Sequence, residues 1–184
     1  MIEKYVFKIL KMYFELKSGA VKEDFDEVYD AIKDKVAYAT KGRRSCLFFL
    51  HKMDLLSESY SNKFGCEEVP QIIERIRTKV ELMTGQIYDY VLVHIYLDGT
   101  AGIAWHSDKE AVGSFVCSVS LGISRKFRLR KIGRKTGYDH EFILGHGDIF
   151  VMKPQCQSIF QHCVAVEKSV KDKRINLTFR QYEI

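Results

Sequence analysis

The sequence predicts an α+β domain, a β-sandwich or jelly roll with helices along one side. Three observations point there. Two segments before residue 88 carry apolar residues at helical spacing. From Tyr90 onward, about seven short runs rich in β-branched and aromatic residues are punctuated by Gly122, Gly133, Gly137, Gly145 and Gly147. Helices first and strands afterwards is the segregation of an α+β fold, not the alternation that builds a parallel sheet.

Residues 2–16 admit two readings. Val6, Ile9, Leu10 and Tyr13 fit helical spacing, while the aromatic and β-branched content suits a strand. Ser18-Gly19 is a break. A first helix is expected over 23–36. Glu23, Asp24, Asp26 and Glu27 open it and Lys33 and Lys35 close it, which complements the helix dipole. Its apolar stripe is Phe25, Val28, Tyr29, Ile32 and Val36. Residues 46–50 read as a short strand behind the basic Lys41-Gly42-Arg43-Arg44, and 55–65 as a loop carrying Tyr60 and Phe64. Pro70 and Gly85 bracket a second helix, with Ile72, Ile73, Ile76, Val80 and Met83 as its buried face. Strands are expected at 90–97, 114–121, 125–132, 140–144, 148–153, 158–166 and 174–179, with Asp98-Gly99 as a turn.

The 184 residues suffice for one domain with a sizeable core, and 46% hydrophobic with 29% charged is ordinary globular composition. Two prolines argue against long linkers. The five cysteines, at 46, 66, 117, 156 and 163, have no paired short spacing of a zinc site. They read as reduced, mostly buried thiols of an intracellular protein in the cytoplasm or nucleus. Glu3, Lys4, Lys8 and Lys11 break up the N-terminal apolar residues, so no signal peptide is expected, and no apolar run approaches membrane-spanning length. A net charge of +5, with Arg125, Lys126, Arg128, Arg130, Lys131, Arg134 and Lys135 in one run, favours a polyanion as partner.

His106 and Asp108 stand two apart. On an extended backbone they point to one side, so an imidazole and a carboxylate can offer two ligands to one ion. His162, 54 residues after Asp108 (162 − 108), is the best candidate for the third. Two histidines and a carboxylate on one face of an octahedral ion leave three positions open, the arrangement of non-haem Fe(II) oxygenases. Near the C-terminus Arg174-Ile175-Asn176-Leu177-Thr178-Phe179-Arg180 alternates without a slip. One face is apolar. The other carries two arginines flanking an asparagine, and an arginine fork is suited to a carboxylate. His94 and Tyr96 likewise share a face and can bind a second oxygen group.

These pieces together resemble the AlkB family of Fe(II)- and 2-oxoglutarate-dependent dioxygenases. The match runs from about residue 85 to the C-terminus, in family order and spacing. It comprises Tyr96 to Gly99, Trp105-His106-Ser107-Asp108-Lys109-Glu110, Ser118 to Gly122, Gly147 to Met152, His162 and Arg174 to Arg180. The helix at 23–36 and Arg43-Arg44-Ser45 match more loosely. The resemblance implies a double-stranded β-helix (jelly roll) core in a single domain over 1–184, with helices and a nucleotide-recognition lid over about 1–88 and the catalytic core over about 89–184. It implies iron held by His106, Asp108 and His162. It also implies 2-oxoglutarate bound by Arg174 with Tyr96, His94, Asn176 and Arg180, and a substrate contact from Glu110. Two departures stand out. His94 replaces the usual asparagine, and Gly42 replaces the proline before the lid arginine.

The chemistry implied is oxidative demethylation of N-alkylated bases, of the N1-methyladenine and N3-methylcytosine type, in DNA or RNA. It uses O2 and releases formaldehyde, succinate and CO2. A base must be single-stranded or flipped out to reach such a site. Tyr60 or Phe64 is expected to stack on it, ahead of Trp105, with Arg44 nearby, and Arg130 and Lys131 to contact phosphate. A monomer with no membrane partner is expected. Two alternatives remain: a 2-oxoglutarate oxygenase of a protein or small molecule, and an inactive nucleic-acid-binding jelly roll.

Overall fold

The computed structural model describes residues 11–35, the backbone of 44–50, and residues 69–181. The first helix, α1 (Phe25–Ile32), is shorter than expected. Asp24 caps it by accepting from the Asp26 and Glu27 amides at 2.8 and 3.3 Å, and a 3-10 turn at Lys33–Lys35 follows. α2 (Gln71–Thr84) begins after Pro70, and Gly85 at φ +67° closes it in the left-handed conformation that glycine adopts without strain. Ile72, Ile73, Ile76 and Val80 are buried as predicted. Met83 is not: it is exposed together with Leu82 and Ile87, so the last turn of α2 is left uncovered by the sheet.

The strands are β1 (Phe14–Lys17), β2 (Arg44–Leu50), β3 (Tyr90–Tyr96), β4 (Ile103–His106), β5 (Val116–Gly122), β6 (Arg125–Lys131), β7 (His140–Leu144), β8 (Ile149–Met152), β9 (Phe160–Val164) and β10 (Arg174–Arg180). Six form one sheet in the order β1-β8-β5-β10-β3-β2, and four form a second, β4-β9-β6-β7. Every neighbouring pair is antiparallel. This is the jelly-roll core that the sequence predicts. Where it is described, the ambiguous N-terminal stretch is a turn at 11–13 followed by β1, which lies at the edge of the larger sheet. β4 was not among the expected strands. Residues 158 and 159 belong to a one-turn helix, α3 (Cys156–Ile159), and not to the strand that follows.

The core has two layers. Val28 and Ile32 of α1 and the apolar stripe of α2 pack on the outer face of the larger sheet, against Val91, Val93, Val119, Ile175, Leu177 and Phe179. A second cluster, including Tyr96, Phe127, Leu129, Phe150, Met152 and Val164, lies between the sheets. β10 sits at the centre of the larger sheet and is buried on both faces. Its apolar face supports the helices, so its polar face is committed to the space between the sheets. Among the described cysteines, Cys117, Cys156 and Cys163 are free and buried. Cys66 and the side chain of Cys46 lie outside the described residues. No helix among the described residues is long and apolar enough to cross a membrane.

Candidate metal and cosubstrate site

β4 and β9 are antiparallel neighbours, and their register sets His106 directly opposite His162. Opposed residues on one sheet face hold their Cβ atoms about 4.5–5.5 Å apart, and these two rings have centroids 4.3 Å apart. Asp108 joins them differently from the expectation. β4 ends at His106, and Asp108 occupies the position before a 3-10 turn at Lys109–Ala111, with φ −80° and ψ 88°. A turn, and not strand alternation, returns the carboxylate to the histidines. Asp108 Oδ1 is 3.7 Å from His106 Nε2, and Oδ2 is 3.9 Å from His162 Nε2. One ligand atom from each residue lies within 4.8 Å of the others. That spacing lets the three share one ion.

Protonation favours the same use. His106 Nδ1 is 2.8 Å from the Ala104 carbonyl, a bond that requires the proton on Nδ1 and leaves the Nε2 lone pair free. Burial, then His106 and Arg180, hold the pKa of His162 well below the usual histidine range, so its ring is neutral. Asp108 Oδ2 is buried and has no hydrogen-bond partner among the described residues. A donor set of two imidazoles and one unspent carboxylate oxygen fits a divalent transition metal.

The polar face of β10 continues the site. β10 lies between β3 and β5, with Asn176 opposite His94 on one side and Ser120 on the other. Asn176 Oδ1 accepts from Ser118 Oγ at 2.8 Å and from Arg174 at 2.7 Å, and its amide donates to Thr178 Oγ1 at 2.8 Å. Arg174 also donates to Ser120 Oγ at 2.8 Å and lies 5.2 Å from the Tyr96 ring centroid. Its Nε and Nη1 are buried and without partners among the described residues. A buried guanidinium with unspent donors fits a carboxylate. His94, Tyr96, Asn176, Thr178 and Arg180 line the same cleft as the three metal-binding candidates, and the cleft opens to solvent. Arg174 stands just behind Asn176.

Arg180 lies on the same face and lines the same cleft. It contacts Asp108 Oδ1 at 2.7 Å and also pairs with Glu110, which is half exposed at the rim. Ser118, Ser120, Thr178 and Gln157 were not singled out from the sequence. The period-two serines within an apolar strand were the available signal for the first two. Nothing local marks Gln157.

The basic run divides. Arg125 is only 1% exposed and is a structural clamp, donating to the Ala101 and Ala165 carbonyls at 2.7 Å each. Lys126 pairs with Glu167, Arg128 with Glu141, and Arg134 with Asp139. Arg130 lies 4.4 Å above the Trp105 ring and bonds Gln161, and Lys131 is exposed, with its backbone N–H donating to Asp139 Oδ2 at 2.7 Å. Tyr60, Phe64 and Arg43 lie outside the described residues, as does the side chain of Arg44.

Comparison with known proteins agrees with this geometry. Residues 38–180 match the family described as the 2OG-Fe(II) oxygenase superfamily. The bovine (Bos taurus) and human (Homo sapiens) proteins named DNA oxidative demethylase ALKBH2 are each 30% identical over 87% of this chain. The chain spans 65% of the length of the bovine protein and 69% of the human one. The solved structure of OsALKBH1 superposes with a TM-score of 0.67 at 15% identity, covering 92% of this chain and 96% of that one, which supports the fold. The chain belongs to the 2OG-Fe(II) oxygenase superfamily, in its AlkB branch, whose cofactors are Fe(II), 2-oxoglutarate and O2.

Proposed function

We propose that this chain oxidatively demethylates N-alkylated bases in nucleic acid, with His106, Asp108 and His162 as iron ligands. The observation that carries the reading is the adjacency of two unspent groups. A His–Asp–His cluster with a free carboxylate oxygen shares its cleft with Asn176, and Asn176 bonds a buried arginine that keeps two nitrogen atoms without partners among the described residues. Arg174 would take the far carboxylate of 2-oxoglutarate, with Tyr96, His94, Asn176 and Arg180 shaping the pocket. When bound, iron, 2-oxoglutarate and O2 supply the oxidant that hydroxylates the base's methyl group, with succinate and CO2 as co-products. The hydroxymethyl adduct then loses formaldehyde.

The protein's part is orientation and exclusion of water. Ile103, Phe127, Met152 and Val164 wall the cleft with apolar surface. Glu110 stands at the rim, where a flipped or single-stranded base would enter. Arg130 and Lys131, at the C-terminal end of β6, are proposed to meet phosphate, and Tyr60 or Phe64, with Arg44, to contact the base. The relatives named for DNA demethylation favour a nucleic-acid substrate over a protein or small molecule, and the intact cluster favours catalysis over binding alone. A monomer acting in the cytoplasm or nucleus is part of the same reading.

The test is anaerobic loading with Fe(II) and 2-oxoglutarate, then O2 and a single-stranded oligonucleotide carrying N1-methyladenine or N3-methylcytosine. Mass spectrometry should show loss of one methylene per lesion, dependent on both cofactors and abolished by His106→Ala. Succinate without demethylation would keep the oxygenase and remove the nucleic-acid substrate. Neither product from folded, metal-loaded protein would remove the catalytic reading.

A further inference from the structure

Asp108 is held in a conformation that its position does not favour. An aspartate preceding a helical turn ordinarily folds its carboxylate back onto the turn's free amides. Here no such bond forms, although the Ala111 amide does bond the Asp108 carbonyl at 3.0 Å. The carboxylate instead faces the histidines and Arg180. One bond explains why the backbone stays put. The Asp108 N–H donates to Gln157 Oε1 at 2.9 Å, across 49 positions of sequence. Gln157 is 1% exposed, and among the described residues its other group, Nε2, has only the Met152 thioether at 3.4 Å, a weak acceptor.

A buried amide whose Nε2 has only a weak acceptor costs free energy to bury, and packing alone would favour an apolar side chain there. Gln157 therefore has its explanation in the bond it makes. It also lies in α3, five residues before His162 (162 − 157), so it ties the turn carrying one metal-binding candidate to the segment delivering another.

We propose that Gln157 is a positioning residue of the metal centre. It grips the Asp108 backbone while Arg180 grips one carboxylate oxygen, so that Oδ2 is presented to the ion and not to the turn. The inference rests on the metal reading of His106, Asp108 and His162, and the experiment separates the two.

Cobalt(II) is titrated into the metal-free full chain without 2-oxoglutarate, and binding is followed by calorimetry and visible absorption. Wild type should bind one ion, and His106→Ala should lose it. Gln157→Met, which keeps volume and removes the acceptor, should weaken binding by about 10- to 100-fold, as loss of partners that orient metal ligands generally does. Its metal-free melting temperature should fall only modestly, since the change leaves one backbone N–H, that of Asp108, without its acceptor. Gln157→Glu, which keeps an acceptor oxygen, should recover most of the loss. No cobalt uptake by wild type overturns the metal reading itself. Uptake with Gln157→Met equal to wild type, or with Gln157→Glu as weak as Gln157→Met, overturns the positioning role alone. Should Gln157→Met fail to fold, hydrogen exchange in metal-free wild type decides. The Asp108 amide should be strongly protected, and free exchange there would overturn the proposal.

Discussion

Arg174 and Arg180 sit on the same face of the same strand, six positions apart, each at most 5% exposed. Their situations are opposite. Arg174 has neutral partners, Ser120 and Asn176, and an aromatic ring beside it. Burial lowers its pKa, and two of its nitrogen atoms have no partner among the described residues. Burial acts on Arg180 too, but Asp108, Tyr90 and Glu110 outweigh it and draw its pKa up. One arginine holds its charge in reserve for an incoming anion. The other pairs with the protein's own carboxylates and keeps one buried nitrogen, Nε, without a partner among the described residues. The alternating pattern of β10 presents both, and what lies opposite each one divides their roles.

Four substitutions would break or sharpen that division. The largest effect is expected from Arg180→Met, which strands the buried Asp108 carboxylate. Metal-free stability should fall by about 3–5 kcal/mol in urea unfolding, and cobalt should raise the melting temperature more than in wild type, since the ion replaces the missing charge. Equal metal-induced shifts would contradict the pairing. Arg174→Met should leave metal binding intact and weaken 2-oxoglutarate by about 3 kcal/mol, somewhat over 100-fold in Kd. Asn176→Asp is the most direct challenge, because it gives Arg174 a carboxylate partner and makes it resemble Arg180. At roughly 6–8 Å from the incoming anion, a new charge should cost about 2 kcal/mol, near thirtyfold in 2-oxoglutarate affinity, with little change in cobalt binding. Glu110→Gln is the mildest. Its side chain is about half exposed, so stability should change by less than about 1 kcal/mol, and any larger effect should appear only in the KM for the oligonucleotide.

The sequence carried most of this architecture because the decisive signals are periodic. Period two in β10 separates Ile175, Leu177 and Phe179 from the four polar residues, and Pro70 with Gly85 delimits α2 to the residue. The three metal-binding candidates were legible from residue type and spacing. What escaped depends on register between distant strands. Arg125 reads as one more member of a basic surface run, yet four carbonyls from two loops surround it. Arg180 reads as a twin of Arg174 because Asp108, 72 positions away (180 − 108), is invisible to a local pattern. Asp108 itself came to the right place by a turn that the extended-chain argument did not contain. Gln157 has no local signature, since its partner is a backbone amide of another segment.

The placement of His106 opposite His162 also bears on how the molecule comes apart. β4 is four residues long, lies at the edge of its sheet, and slips register between Ile103 and His106. Such an edge is the first part of a sheet to fray. An ion bridging the two histidines would close a loop of 56 residues (162 − 106). A covalent cross-link of that span removes about 4 kcal/mol of chain entropy from the unfolded state. Iron here would act as a rivet as well as a reagent. A cell short of iron would then hold a protein whose smaller sheet opens at β4, exposing the Ile103–His106 backbone to proteases, so that cofactor supply sets the lifetime of the chain together with its activity.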